Sequence, residues 1–228
     1  MVTANKIISD IRNIATSGSN PIDFRIEDAQ IQYWIDETRA MLIAQSLEKH
    51  DDVNDGWVQV ITCLDLIEVD KSECCEVTTN CKILRTQLQI PDTIDTNYDN
   101  SIIRVENING DILSKTTAFE SKYNKFTKYT PDKPKWYLKN NYIYVINAEF
   151  LTRINVYGLW EMPSLLSNYV DCAGNTCYDI NSDYPIGLKM ASDITNIVLK
   201  TKIYPFMSMP QDNTNDSSNT LDRLPTKQ

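Results

Sequence analysis

The segment WVQVITCLDLIEV, Trp57 to Val69, decides how this chain is organised. It is rich in β-branched residues, with Asp65 and Glu68 breaking the apolar run, and it reads as a long strand where the preceding residues read as helix. Further extended runs follow. Ile83 to Ile90 forms another candidate strand ending at Pro91. In SIIRVENINGDIL, Ser101 to Leu113, Asn109-Gly110 lies between two extended runs and predicts a type I′ hairpin. In WYLKNNYIYVI, Trp136 to Ile146, Asn140-Asn141 predicts a second hairpin between tyrosine-rich strands. FLTRINVYGLW, Phe150 to Trp160, alternates as a strand should. Lys71 to Asn80 reads as a polar loop, and Phe119 to Lys128 as one or two helical turns. Trp57 to Trp160 is thus a β-rich block, closed by Glu161-Met162-Pro163.

Working outward, the N-terminal side is helical. Ile7, Ile8, Ile11 and Ile14 recur at three- and four-residue spacing, predicting a helix over Asn5 to Thr16 with Thr3 as its cap. Gly18-Ser19-Asn20-Pro21 breaks it. A second helix is predicted over Arg25 to Lys49, capped by Asp23, with Glu27 and Asp28 at the positive end of its dipole. At about 100° per residue, Ile26, Ala29, Tyr33, Ala40, Ala44 and Leu47 share one face. Ile31, Trp34, Ile35, Thr38 and Leu42 share another. Strips of Gln32, Asp36 and Arg39 on one side and Gln30, Glu37 and Glu48 on the other separate them. Two apolar faces imply burial on two sides, which a subunit flanked by identical neighbours supplies, so Ile31, Trp34, Ile35 and Leu42 are the expected oligomer interface; a central core helix is the alternative.

On the C-terminal side a short helix is predicted over Ser164 to Val170, followed by a loop between Cys172 and Cys177. Pro185 opens a last helix with Ile186, Met190, Ile194, Ile197 and Val198 as its apolar stripe, and Pro205 and Pro210 stop it. From Gln211 onward the chain is Asn, Asp, Ser and Thr, too polar for a core, apart from an apolar tip of Leu221, Leu224 and Pro225. The expected fold is α+β. Residues 1–56 and 161–206 contribute two N-terminal helices and a C-terminal helix to a helical bundle. An antiparallel β domain over 57–160 is inserted in it, and 207–228 form an extended arm.

Composition narrows function. With 228 residues and 42% hydrophobic content the chain can bury a sizeable core. A formal net charge of -9 argues against gripping a nucleic-acid backbone, yet suits a surface past which DNA slides. One histidine, His50, and six glycines make a histidine-centred catalytic cluster or a glycine phosphate loop poor expectations. His50 reads as a helix-end residue facing exposed carbonyls. Asp51-Asp52 and Glu27-Asp28 read as solvated faces and helix ends, so no enzyme is expected. No secretory signal and no apolar run of about 20 residues is present; a protein assembled in a cytoplasm, without membrane contact, is expected. Six cysteines are then thiols by default. A tetrahedral zinc site from Cys74, Cys81, Cys172 and Cys177, making the chain a zinc-binding interaction module, is one alternative; buried thiols or an opportunistic disulfide are the others. No cofactor is otherwise expected. Trp57, Trp136, Tyr137, Tyr142, Tyr144 and Trp160 read as core and subunit contacts.

The strings DAQIQYWIDETRAMLIAQ, ITCLDLIEVDKSECCEV, NNYIYV, VYGLWEMPSLL and CAGNTCYDINSDYPI carry a resemblance spanning Ile26 to Ile203. Together they resemble structural proteins of crAss-like bacteriophages, tailed double-stranded DNA phages of gut Bacteroidales, and in particular their head-to-tail connector ring proteins. More distantly, the helical pair with a later helix resembles adaptor proteins of short-tailed phages, from which a large β insertion departs. The resemblance implies a virion protein in the neck, assembled in the bacterial host cytoplasm into a ring of twelve copies beneath the portal. Its implied partners are other copies of itself, the portal and adjacent connector or tail rings, with genomic DNA passing through the channel. The arm, through Leu221, Leu224 and Pro225, would dock on the portal. A tail or baseplate component is the alternative.

Overall fold

The computed structural model describes residues 2–16, 26–49, 52–69, 83–96, 101–121 and 133–207. Its main unit is a closed barrel of seven strands, all within the β-rich block. They are β1 (Gln59–Glu68), β2 (Leu84–Thr86), β3 (Ile102–Asn107), β4 (Ile112–Lys115), β5 (Lys135–Lys139), β6 (Tyr142–Ile146) and β7 (Arg153–Gly158). Around the barrel the order is β1-β2-β6-β5-β4-β3-β7, with β7 returning to β1. Every pair is antiparallel except β4 and β5, which run parallel.

This corrects the expectation of a helical bundle carrying an inserted antiparallel β domain. The first strand zips to the last: Gln59 pairs with Gly158 and Ile61 with Val156. Closure leaves no open edge, so the sheet is a barrel in its own right. The helices are few and lie against it. One continuous core draws on Ile7, Ile11, Ile31 and Ile35 from helices, Ile61, Trp136, Ile143 and Ile154 from strands, and Ile194 and Val198 from the last helix.

Two bulges bend the barrel on either side of β7. Between Ile61 and Leu64, β1 carries an extra residue against β7, and Cys63 takes a left-handed φ of 56°. The Cys63 N–H donates to the Asn155 side chain at 3.0 Å. The bulge also resets alternation, so that Ile61 and Leu64 both point inward. β3 shifts register between Ile102 and Arg104, leaving Ile103 facing outward.

The two hairpins form where expected, but the type I′ turn expected at Asn109-Gly110 is found at the other one. Asn140 and Asn141, at φ 52° and 60°, make the two-residue type I′ turn joining β5 to β6. At Asn109-Gly110 only Gly110 is left-handed. The Gly110 N–H donates to the Asn107 carbonyl, and Asn107 exchanges bonds with Asp111 around a longer loop.

Four α-helices lie among the other described residues. α1 (Ala4–Ala15) starts as read, with the Thr3 hydroxyl accepting the Lys6 N–H at 3.2 Å. α2 spans Asp28–Glu48 and is preceded by Glu27, which makes no side-chain cap bond; the expected cap, Asp23, lies outside the described residues. A 3-10 turn, Pro163–Asn168, follows the barrel. α3 (Leu188–Val198) begins after Gly187, two residues past Pro185. It is not stopped at Pro205: it runs through a π turn, Leu199–Ile203, into α4 (Tyr204–Met207). A widened turn moves the carbonyls that the proline ring would strike and that lack its N–H. α1, α2 and α3 pack on one another, and the N-terminus is sewn to the segment before α3 by Tyr184 N–H to Val2 O, 2.8 Å.

Candidate subunit-contact surfaces and the buried charge cluster

Of the strip Gln32, Asp36 and Arg39, read as a polar divider between two apolar faces, Asp36 and Arg39 lie at the centre of α2's buried arc. Arg39 is 0% exposed. Its guanidinium donates to three main-chain carbonyls: Nε to Pro185 at 3.0 Å, Nη1 to Trp160 at 2.8 Å and Nη2 to Trp57 at 3.0 Å. These three carbonyls stand just before β1, just after β7 and just before α3. One side chain therefore ties the helix to the entry and exit of the barrel, a task suited to the planar five-donor fork of arginine.

Asp36, one turn earlier, accepts from the Tyr184 hydroxyl at 2.5 Å and from Ser164 Oγ at 2.8 Å. Burial pushes its carboxyl pKa up, against the pull of those two donors and of Arg39. Burial lowers the Arg39 pKa, while Tyr184 and Asp36 pull it back. Tyr184 is held well above its ordinary value, first by burial and then by the Asp36 charge. Two opposite charges buried close together cost desolvation, which only full hydrogen bonding returns; here three carbonyls for Arg39 and two hydroxyls for Asp36 supply it. The cluster is a buried keystone joining α2, the barrel and the segment before α3.

Among the described residues three surfaces are candidates for contact. The outer arc of α2 presents Tyr33 (47% exposed), Glu37 and Met41 (42%), with Lys202 paired to Glu37 at 3.0 Å. On the barrel wall a recess of about 410 Å³ is lined by Asp55, Val58, Val60, Ile103, Arg104 and Tyr157. There Arg104 stacks on the Tyr157 ring at 3.9 Å, and the Tyr157 hydroxyl donates to Glu106 at 2.6 Å, which raises the tyrosine pKa. Between α1 and α3 runs a groove of about 430 Å³, floored by Ile7 and Ala191 and flanked by the exposed Ile14 and Leu188.

The family model described as phage tail ring protein 2, a crAss ring family, matches residues 6–222. The chain belongs to that family. No curated protein matches it. This ring protein is accordingly a structural, self-associating component of a phage particle, and the surfaces above are candidate contacts of a ring subunit.

The residues singled out from sequence fall differently on this ring protein. Ile31 and Ile35 are 0% exposed within one subunit, filling its own core with no surface for a neighbour. Trp34 and Leu42 are half-buried against the same core. The exposed apolar residues of α2 are Tyr33 and Met41 instead. Leu221, Leu224 and Pro225 lie outside the described residues, as do His50, Cys74, Cys75 and Cys81. Cys172 is disulfide-bonded to Cys63, with Cα atoms 5.4 Å apart, so it is no thiolate ligand beside Cys177, which is free. Among the described residues no group of His, Cys, Asp and Glu is arranged to hold a metal ion, and no helix is long and apolar enough to cross a membrane. Trp136 and Trp160 are core residues as read, and Tyr137 stacks on Tyr144 across β5 and β6 at 5.1 Å. The Asp36–Arg39 pair carried no signal beyond its i, i+3 spacing, since charged helix residues are ordinarily solvated.

Proposed function

We propose that twelve copies of this ring protein close a collar in the neck of the virion, attached beneath the portal, through which the genomic DNA passes. One observation carries the proposal. A single rigid block, barrel and helices on one core, exposes unlike surfaces: Tyr33 and Met41 on α2, Val60 and Ile103 on the barrel wall. A ring closes when one patch of a subunit meets a different patch of the next. The closed barrel supports the same reading, because with no open strand edge the copies must join through side chains rather than by strand addition. The net charge of -9 suits a conduit to which DNA does not adhere. The role is mechanical, and no residue is assigned chemistry.

The family's description as a tail ring favours a second position, further down the tail, with the same subunit contacts. Electron cryomicroscopy of the intact particle separates the two. A twelve-fold ring of this chain touching the portal is expected; a ring seated only on other tail rings selects the second position, and density absent from neck and tail rejects both. Met41→Asp and Ile103→Asp provide the solution test. Each should leave the melting temperature unchanged and abolish oligomers seen by mass photometry. Unaltered oligomers in both would remove these surfaces from the interface.

A further inference from the structure

The groove between α1 and α3 has the character of a receptor for a short amphipathic segment. Ile7 and Ala191 floor it, and Ile14 (48% exposed) and Leu188 (75%) stand at its rims without apolar cover. Lys6 and Asp10, one turn apart on α1, give the same wall one cation and one anion. Resting on the ring reading above, we propose that this groove receives Leu221–Pro225 of the adjacent copy, so that each subunit stitches itself to the next.

Three observations select that occupant. From Gln211 to Gln228 the only apolar side chains of any size are Leu221, Leu224 and Pro225, and they enclose Asp222 and Arg223. Leucines matched to a groove with exposed Ile14 and Leu188, and an acid–base pair matched to Lys6 and Asp10, are complementary in both polarity and charge. Second, the described chain ends at Met207 on the continuation of α3, whose π turn packs on α1, so the arm starts from the same helical layer as the groove. Third, the helical run carries the start of the arm away from Leu188: Leu188 and Met207 mark its opposite ends, about 30 Å apart at 1.5 Å per residue. Residues 208–220 span up to about 45 Å when extended, enough to reach an adjacent subunit.

The test uses the full chain with a photo-crosslinking side chain at position Leu224, mixed from ¹⁴N- and ¹⁵N-labelled preparations before assembly, with and without portal. Heavy–light crosslinked peptides joining position 224 to Val2–Ile14 or Leu188–Asn196 are expected. In the same assay Lys6→Glu should lower the crosslink yield about tenfold or more, and Lys6→Glu combined with Asp222→Lys should restore it. Leu188→Asp should likewise weaken association about tenfold or more, from loss of one buried leucine contact. Crosslinks confined to single-isotope peptides would mean that the arm folds back on its own subunit and would overturn the proposal. So would crosslinks only to the portal, to another surface, or none in particles that still form rings; these leave the ring reading standing. Failure of the chain to assemble in any preparation would remove both.

Discussion

Arg39 Nη1 holds the Trp160 carbonyl at 2.8 Å across 121 positions of sequence. That contact joins the middle of α2 to the chain leaving β7, and the other guanidinium nitrogens reach the chain entering β1 and the segment before α3. Because the buried charge is shared among three elements, its removal is felt throughout the fold.

Arg39→Met should destabilise the folded subunit by about 3–5 kcal/mol, since it leaves Asp36 and three carbonyls buried without their cation. Arg39→Lys should cost about 1–3 kcal/mol, because one ammonium cannot span three acceptors in that geometry. Urea unfolding monitored by tryptophan fluorescence measures both; a Lys variant as stable as the parent would contradict the keystone role.

Tyr184→Phe deletes the hydroxyl donating to Asp36 and should cost about 1.5–3 kcal/mol, the range for a hydrogen bond to a charged group. Tyr178→Phe is the internal control. Its hydroxyl is buried near the cluster without a hydrogen-bond partner, so its loss should be neutral or slightly stabilising. The two variants should separate clearly in the same unfolding experiment.

The cluster also predicts a pH dependence. Asp36 binds its proton more tightly folded than unfolded, its pKa being raised above 3.8 chiefly by burial. Its contribution is therefore fully present below that value and is lost as pH rises through the raised pKa. Asp171 has the opposite sign. Backbone and side-chain donors from Asn175 lower its pKa, so its contribution holds above 3.8 and is lost as pH falls. Stability profiles from pH 3 upward should flatten above 3.8 in Asp36→Asn and on the acid side in Asp171→Asn.

Gly158 predicts a packing cost. A Cβ there would meet the Trp160 ring at 3.1 and 3.2 Å and the Ser101 carbonyl at 3.4 Å, and Trp160 is wholly buried. Gly158→Ala should destabilise by about 1–3 kcal/mol, as overpacking does. A melt shifted by less than one degree would show that Trp160 has room to move.

The Cys63–Cys172 disulfide closes a loop across 109 residues of separation, fastening the β1 bulge to the loop after the 3-10 turn. Opening it should cost about 2–4 kcal/mol and lower the melting temperature by about 4–16 °C. Calorimetry of Cys63→Ser against the oxidised parent gives the number, and non-reducing peptide mapping identifies the pair.

Local elements were legible where local chemistry decides them. Thr3 caps α1 because its hydroxyl needs only the Lys6 N–H three residues on. Asn140 and Asn141 turn β5 into β6 because asparagine tolerates left-handed backbone. The strands fall inside Trp57 to Trp160 as read. The candidate site was less legible: Asp36 and Arg39 look like a narrow polar strip on a helix whose apolar residues spread around its circumference, and Ile31 and Ile35 serve the subunit core just as they would serve an interface.

From the amino-acid order alone came the capped start of α1, the β block, the acidic balance and the phage-ring resemblance, all properties of composition or of neighbours along the chain. Tertiary structure alone decided that Gln59 meets Gly158 and closes a barrel, that β4 lies parallel to β5, that Cys63 finds Cys172, and that Arg39 is interior. Each joins residues tens to more than a hundred positions apart. No periodicity encodes such pairings, because which long-range partner wins depends on the total area buried and on how many buried polar groups find a bond.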